Sequence, residues 1–238
     1  MTDSGLESKL TRTIDSFSDR RILLVGDLVA DHYITGKSSR ISREAPVIIL
    51  KYQGETIIPG QAGNTAANIA ALGAQARLVG VIGQDRRGDE LYAALERAGI
   101  LMDGLVRSPD GATLTKTRIL AGGHHTAMQQ VIRIDDDERL QGGNCEKDAV
   151  VANMRASADW AEAIIVSDYG YGVVTQETWD TAREIAANRN IPLVLDSRYS
   201  LTRWTGATLI TPNEEEALTA AGALGGGCEI SDVGEKLR

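Results

Sequence analysis

The sequence predicts an α/β fold, a doubly wound and mostly parallel sheet flanked by helices, with a small extra β-sheet. Three observations predict it. Short apolar runs alternate with helical patterns along the chain, most of the runs end in Gly, Asp or Asn, and two stretches of β character contain no helix. With 238 residues the chain is long enough for one such domain with a full core.

The elements follow in order. Leu6, Leu10, Ile14 and Phe17 fall at helical spacing and predict an amphipathic first helix. Residues 21–28 form an apolar first strand ending in Gly-Asp. Residues 47–50 and 56–58, separated by Gln53-Gly54-Glu55, read as strand, turn, strand. The turn at 59–63 opens a helix over 64–72 that Gly73 stops. A strand at 77–82 and a loop at 83–88 lead to a helix over 89–98. Strands at 113–120 and 129–134 flank a turn holding His124 and His125, which as neighbours point apart and do not suit a shared metal. Helices over 146–158, 176–188 and 213–221 then alternate with strands at 163–167, 193–196 and 208–211, and residues 231–238 begin another helix. Gly225-Gly226-Gly227 reads as a link, because no Lys-Ser or Lys-Thr follows it. The helix-free segments, about 34–58 and 113–134, are expected to cover a site at the strand C-termini as a lid on one domain spanning 1–238.

A formal charge of −8 argues against a nucleic-acid surface. The N-terminus has no apolar secretory core and no run reaches membrane-spanning length, so no membrane association is expected. Cys145 and Cys228 lie far apart without a CxxC, which fits a reduced, cytoplasmic protein.

Candidate site residues gather where strands end. Asp31 offers acceptors suited to sugar hydroxyls, whereas Asp27 reads as a turn cap. Gly60, Gln61 and Asn64 belong to a glycine-bearing loop at a helix N-terminus, where backbone N–H groups face a polar ligand. Period-two spacing puts Lys116 and Arg118 on one strand face, and with Arg133 they suit a substrate phosphate or a solvated surface. Asp168 and Asp196 end successive strands. Asn213 and Glu216 stand three apart, as in a capping box, or as an amide and a carboxylate aimed at phosphates and hydrated Mg²⁺. The number of acidic residues at strand ends favours the second reading.

Together these residues resemble the ribokinase-like (PfkB) carbohydrate kinases. Gly83-Gln84-Asp85-Arg86-Arg87-Gly88 looks like that family's GxDxxG element, residues 59–68 like its sugar loop, and Asn213 to Glu216 like its NxxE motif. Within it, the likeness is to heptose-7-phosphate kinases. It is carried by Ser39-Arg40-Ile41-Ser42-Arg43-Glu44-Ala45-Pro46-Val47, Thr115-Lys116-Thr117-Arg118, Ser167-Asp168-Tyr169 and the run 206–213. The resemblance implies phosphoryl transfer from ATP with Mg²⁺ to a sugar or sugar phosphate, with a homodimer contact through the lid. Asp31, Gly60, Gln61, Asn64, Lys116, Arg118, Arg133 and Asp168 would bind the sugar. Asn213, Glu214, Glu215 and Glu216 would serve ATP, Glu216 also reaching Mg²⁺ through water. The sequence departs from the family at Gln61, where a second glycine is usual, at Tyr171, where a lysine is usual, and at Ser197-Arg198. No GAGD occurs, so the catalytic aspartate is expected beyond Arg238 and this chain alone is expected to be inactive. Another sugar or nucleoside kinase of this fold, or a non-catalytic sugar-binding remnant, is the alternative.

Overall fold

The computed structural model describes residues 3–122, 127–137, 144–223 and 233. His124, His125, Gly225 to Gly227, Cys228 and all but Val233 of the helix expected at 231–238 lie outside the described residues. One six-stranded sheet, hereafter sheet A, contains β1 (Arg21–Gly26), β4 (Gln75–Gly83), β5 (Leu101–Ser108), β8 (Ala163–Asp168), β9 (Leu193–Ser197) and β10 (Leu209–Ile210) in the order β10-β9-β8-β1-β4-β5. Every neighbouring pair is parallel. The strands are apolar on both faces because helices cover both. α2 (Ala62–Ala71) and α3 (Arg86–Arg97) pack with Leu24, Leu78 and Ile82 on one side. α4 (Asn144–Ser157) and α5 (Gln176–Arg189) pack with Leu23, Val79, Ile164 and Leu195 on the other. α6 (Glu214–Ala223) follows β10.

Sheet B has four strands in the order β3-β2-β6-β7: β2 (Leu28–Ile41), β3 (Ile48–Gln61), β6 (Thr115–Gly122) and β7 (Gln129–Asp136). It is wider than the expected 34–58 and 113–134. The turn expected at 53–55 is not there. Residues 48–61 form one strand, and the pairing slips between Thr35↔Gly54 and Gly36↔Tyr52, so the local irregularity is a bulge. The sequence pattern predicts neither its partner β2 nor the strand β5. Polar residues interrupt both, Asp103 and Arg107 in β5 and Lys37 to Arg40 in β2. The helix expected from residue 89 begins at Arg86, because Asp85 caps it by accepting the Gly88 N–H at 2.7 Å. The same carboxylate accepts the Thr113 N–H and hydroxyl, which ties α3 to the lead-in of β6. α1 (Asp3–Asp15) forms as expected, but Leu6, Leu10 and Ile14 on its apolar stripe are exposed.

Sheets A and B meet at Asp27, the residue between β1 and β2. Its backbone N–H donates to the Ser167 carbonyl and its carbonyl accepts from Ala62, the first residue of α2. Its fully buried carboxylate accepts the backbone N–H groups of Tyr169 and Tyr171 on Oδ2, at 2.8 and 3.1 Å, and of Val173 on Oδ1 at 3.0 Å. Burial pushes its carboxyl above the usual range and the N–H groups pull back against it. Asp27 is therefore no simple cap of its own turn: it shapes the loop that follows β8. Gly26 makes this approach possible, since a Cβ there would sit 2.2 Å from the Ser167 carbonyl oxygen.

Asp27→Asn keeps the shape but turns an amide N–H₂ toward backbone donors. An unfolding free energy lower by about 1–3 kcal/mol in urea is expected at neutral pH. The folded chain protonates Asp27 before the unfolded chain does, so its own contribution to stability rises as pH falls through the raised folded-state pKa toward 3.8. The gap between wild type and Asp27→Asn should therefore widen on acidification, and a pH-independent gap would contradict the assignment.

Candidate functional site

Register places Asp31, Lys116, Arg118, Arg133 and Asp135 on one face of sheet B. Asp31 pairs with Lys116 and Tyr33 with Arg118 across β2 and β6. Arg133 faces Arg118 and Asp135 faces Lys116 across β6 and β7. Two like-charged arginines sit side by side only because each has its own carboxylate. Arg118 donates to Asp31 Oδ1 at 2.6 Å. Arg133 forks onto Asp135, with Nε–Oδ1 at 2.8 Å and Nη2–Oδ2 at 3.0 Å. Burial works against the Arg118 charge, but Asp31 outweighs it and raises the guanidinium pKa. Lys116 is only 8 % exposed, and its ammonium lies 5.5 Å from the centroid of the Tyr171 ring.

The end of β3 reaches the same face. A Cβ on Gly60 would lie 2.7 Å from Asp31 Oδ2 and 3.1 Å from the Val29 carbonyl, so glycine is what lets Asp31 turn toward the start of α2. Gln61 then adopts φ 54°, ψ −125°, a glycine-like conformation held by a non-glycine residue, at a cost of about 1–3 kcal/mol. Gln61 rather than Asn64 occupies the N-cap position of α2, and makes no side-chain cap bond. Asn64 lies in the first turn of α2 and is exposed.

The loop after β8 separates this face from a second region. Asp168, expected to touch substrate, is buried with both oxygens engaged. Oδ1 accepts the Gly170 N–H at 3.0 Å, and Oδ2 accepts Ser197 Oγ at 2.8 Å and Trp204 Nε1 at 2.7 Å. That geometry supports the loop. The loop sends Tyr169 one way, its hydroxyl 3.3 Å from Asp196 Oδ2, and Tyr171 the other, its hydroxyl donating to Asp137 Oδ2 at 3.0 Å. Burial pushes the Tyr169 phenol up to about 12, with Asp196 adding to it. Tyr171 moves the same way from burial and from Asp137, so both phenols remain donors at neutral pH.

Beyond Tyr169 lies a cavity of about 550 Å³ whose lining includes Tyr169, Arg198, Thr202, Asn213, Glu215 and Glu216. Glu214 is exposed and does not line it. Asn213 and Glu216 form a reciprocal capping box: Glu216 Oε2 accepts the Asn213 N–H and Asn213 Oδ1 accepts the Glu216 N–H, each at 2.9 Å. The structure shows the capping-box reading of this motif, and the same two residues line the cavity. Burial, and next the charge of Glu216, push the Asp196 carboxyl up, an arrangement that a cation would relieve. Among the described residues no three His, Cys, Asp or Glu side chains converge as a metal-ligand set. The carboxylates of Asp196 and Glu216 thus suit a hydrated cation better than a bare ion in a protein cage.

The sequence reads Asp27 as a turn cap and gives Asp137 no role, while Tyr171 stands out in it as the departure from the family's lysine at a place where substrate choice is made. The Gly-Asp step after a buried strand was the available signal for Asp27. Nothing local signals that Tyr171 meets Asp137 and Lys116, since three separate segments converge there.

Residues 19–237 match the model of the pfkB family carbohydrate kinases. The bifunctional protein HldE of Gluconobacter oxydans (strain 621H) is 38 % identical over 211 residues, which cover 88 % of this chain and 43 % of the relative. The HldE protein of Azorhizobium caulinodans (strain ATCC 43989) is 39 % identical over 203 residues, covering 84 % and 41 %. The chain thus spans less than half the length of these curated relatives. Among solved structures, Arabidopsis thaliana ribokinase complexed with ribose and ATP superposes with a TM-score of 0.60 at 16 % identity, over 92 % of this chain and 68 % of that one. The tetrameric inhibited form of phosphofructokinase-2 from Escherichia coli gives 0.65 at 17 % identity, over the same shares. Those likenesses establish the ribokinase-like fold, and the family match establishes the rest: this chain belongs to the pfkB family of carbohydrate kinases.

Proposed function

We propose that the chain binds heptose 7-phosphate and ATP for phosphoryl transfer to the sugar's anomeric hydroxyl, a step toward ADP-heptose. The observation that carries this reading is a paired arrangement. A polar face with Asp31, Lys116 and Arg118 and a cavity with Arg198, Asn213 and Glu216 stand on either side of one loop, 168–175. The stretch 39–47 and the HldE relatives support the heptose substrate.

In this reading Asp31 Oδ2, the Gly60 backbone, Gln61 and Asn64 meet sugar hydroxyls. Lys116, Arg118 and Arg133 meet the sugar's phosphate. Asp168 acts as a positioning residue for the loop rather than as a contact. Arg198 and the first turn of α6, Asn213 to Glu216, meet the nucleotide phosphates, aided by the positive end of the helix dipole. Mg²⁺ supplies charge neutralisation on those phosphates when bound. Sheet B acts as the lid. It leaves Ile48, Tyr52, Val131, Ile132 and Ile134 exposed, and a second copy of the chain is the proposed cover.

ADP release should be measured with heptose 7-phosphate, fructose phosphates and ribose, on this chain and on the product of the whole gene. Heptose 7-phosphate should give the highest kcat/KM, and equal or greater turnover of ribose would contradict the assignment. Asp31→Ala should raise the sugar KM by about tenfold to a hundredfold, since it removes an acceptor and strands Arg118, with little change in the ATP KM. Equal losses for both ligands would count against its role. Sedimentation should give a dimer that Ile132→Lys converts to monomer, and a wild-type monomer would remove the lid contact.

A further inference from the structure

Lys116 differs from the other cations on its face. Arg118 is bonded to Asp31 and Arg133 is forked onto Asp135. Register sets Asp31 and Asp135 opposite Lys116 on its two sides, and each of these carboxylates is already taken by an arginine. Lys116 is nonetheless buried, and what its ammonium meets among the described residues is the ring of Tyr171. That ring is fixed from two directions. The Tyr171 N–H donates to buried Asp27 and its hydroxyl donates to Asp137, just past the end of β7. The ring therefore spans the gap between sheet A and sheet B.

A π face holds a desolvated cation more weakly than a carboxylate does. An anion arriving at Arg118 or Arg133 must compete with a bonded carboxylate, while one arriving at Lys116 meets an ammonium that the ring holds in place and whose N–H donors the ring leaves open, so the ring contact persists beside the anion. We propose that Tyr171 is a specificity-determining residue, which poises the Lys116 ammonium for an anionic group on the sugar and so sets the preference for phosphorylated over unphosphorylated acceptors. This rests on reading the site as a sugar kinase and adds the residue that makes the phosphate count. Tyr171 acts through Lys116 and need not touch the acceptor.

Calorimetric titration of the full chain with heptose 7-phosphate and with heptose tests this. Tyr171→Leu removes the ring and should weaken the phosphorylated sugar by about tenfold while changing heptose by less than about twofold. Tyr171→Phe keeps the ring, loses the Asp137 bond, and should retain most of the preference. Lys116→Met should abolish the preference even if Tyr171→Leu fails to fold. Tyr171→Leu weakening both sugars alike overturns the proposal and leaves the kinase reading standing, and a preference unchanged in Lys116→Met overturns it and also removes Lys116 from the phosphate contacts, while Asp31 and the nucleotide cavity still stand. Wild type binding neither sugar removes both.

Discussion

A single buried carboxylate sets the geometry of this molecule. Asp27 stands where the chain leaves the parallel sheet and enters the smaller one, and it binds the ends of β8 and α2 and the loop at 169–173 at once. A charge at that depth is tolerated because three backbone donors converge on it, and those donors stay ordered because the acceptor is there. Removing either side leaves buried polar groups unmatched. The interaction is thus cooperative in a way that a surface pair is not.

What depends on it is the relation between the two polar regions on either side of the loop. Tyr169 and Tyr171 are two residues apart and project to opposite sides of the loop, one to Asp196 and the cavity at α6, the other to Asp137 and Lys116 in sheet B. Asp168 fixes the base of the same loop through Ser197 and Trp204. Phosphoryl transfer asks little covalent chemistry of a protein and much positioning of donor against acceptor. A loop held at each alternate N–H by one side chain is suited to that demand, since it leaves few ways for one region to shift independently of the other.

Much of this was legible in the sequence where the pattern is local. The parallel strands other than β5 are legible as apolar runs, and α6 as a helix that a capping box opens. Lys116 and Arg118 fell on one face by period two, as their shared register with β2 and β7 shows. The failures share a cause. β5 and β2 carry polar residues whose partners are distant in sequence, so their strand character comes from pairing rather than from composition. Gln53-Gly54-Glu55 looks like a turn because a bulge uses the same residue types. Asp27 looked like a cap because its three partners lie more than 140 positions away. The backbone strain at Gln61 was equally hidden, although the unusual residue at that place was visible.

Native-state hydrogen exchange at the amides of Tyr169, Tyr171 and Val173 tests the role of Asp27 most directly. All three should exchange slowly in the wild type, at rates close to those of the buried strand β8. In Asp27→Asn they should quicken together, while β8 itself stays protected. Fast exchange of these amides in the wild type, or unequal responses to the substitution, would show that the loop is held by something other than the buried carboxylate.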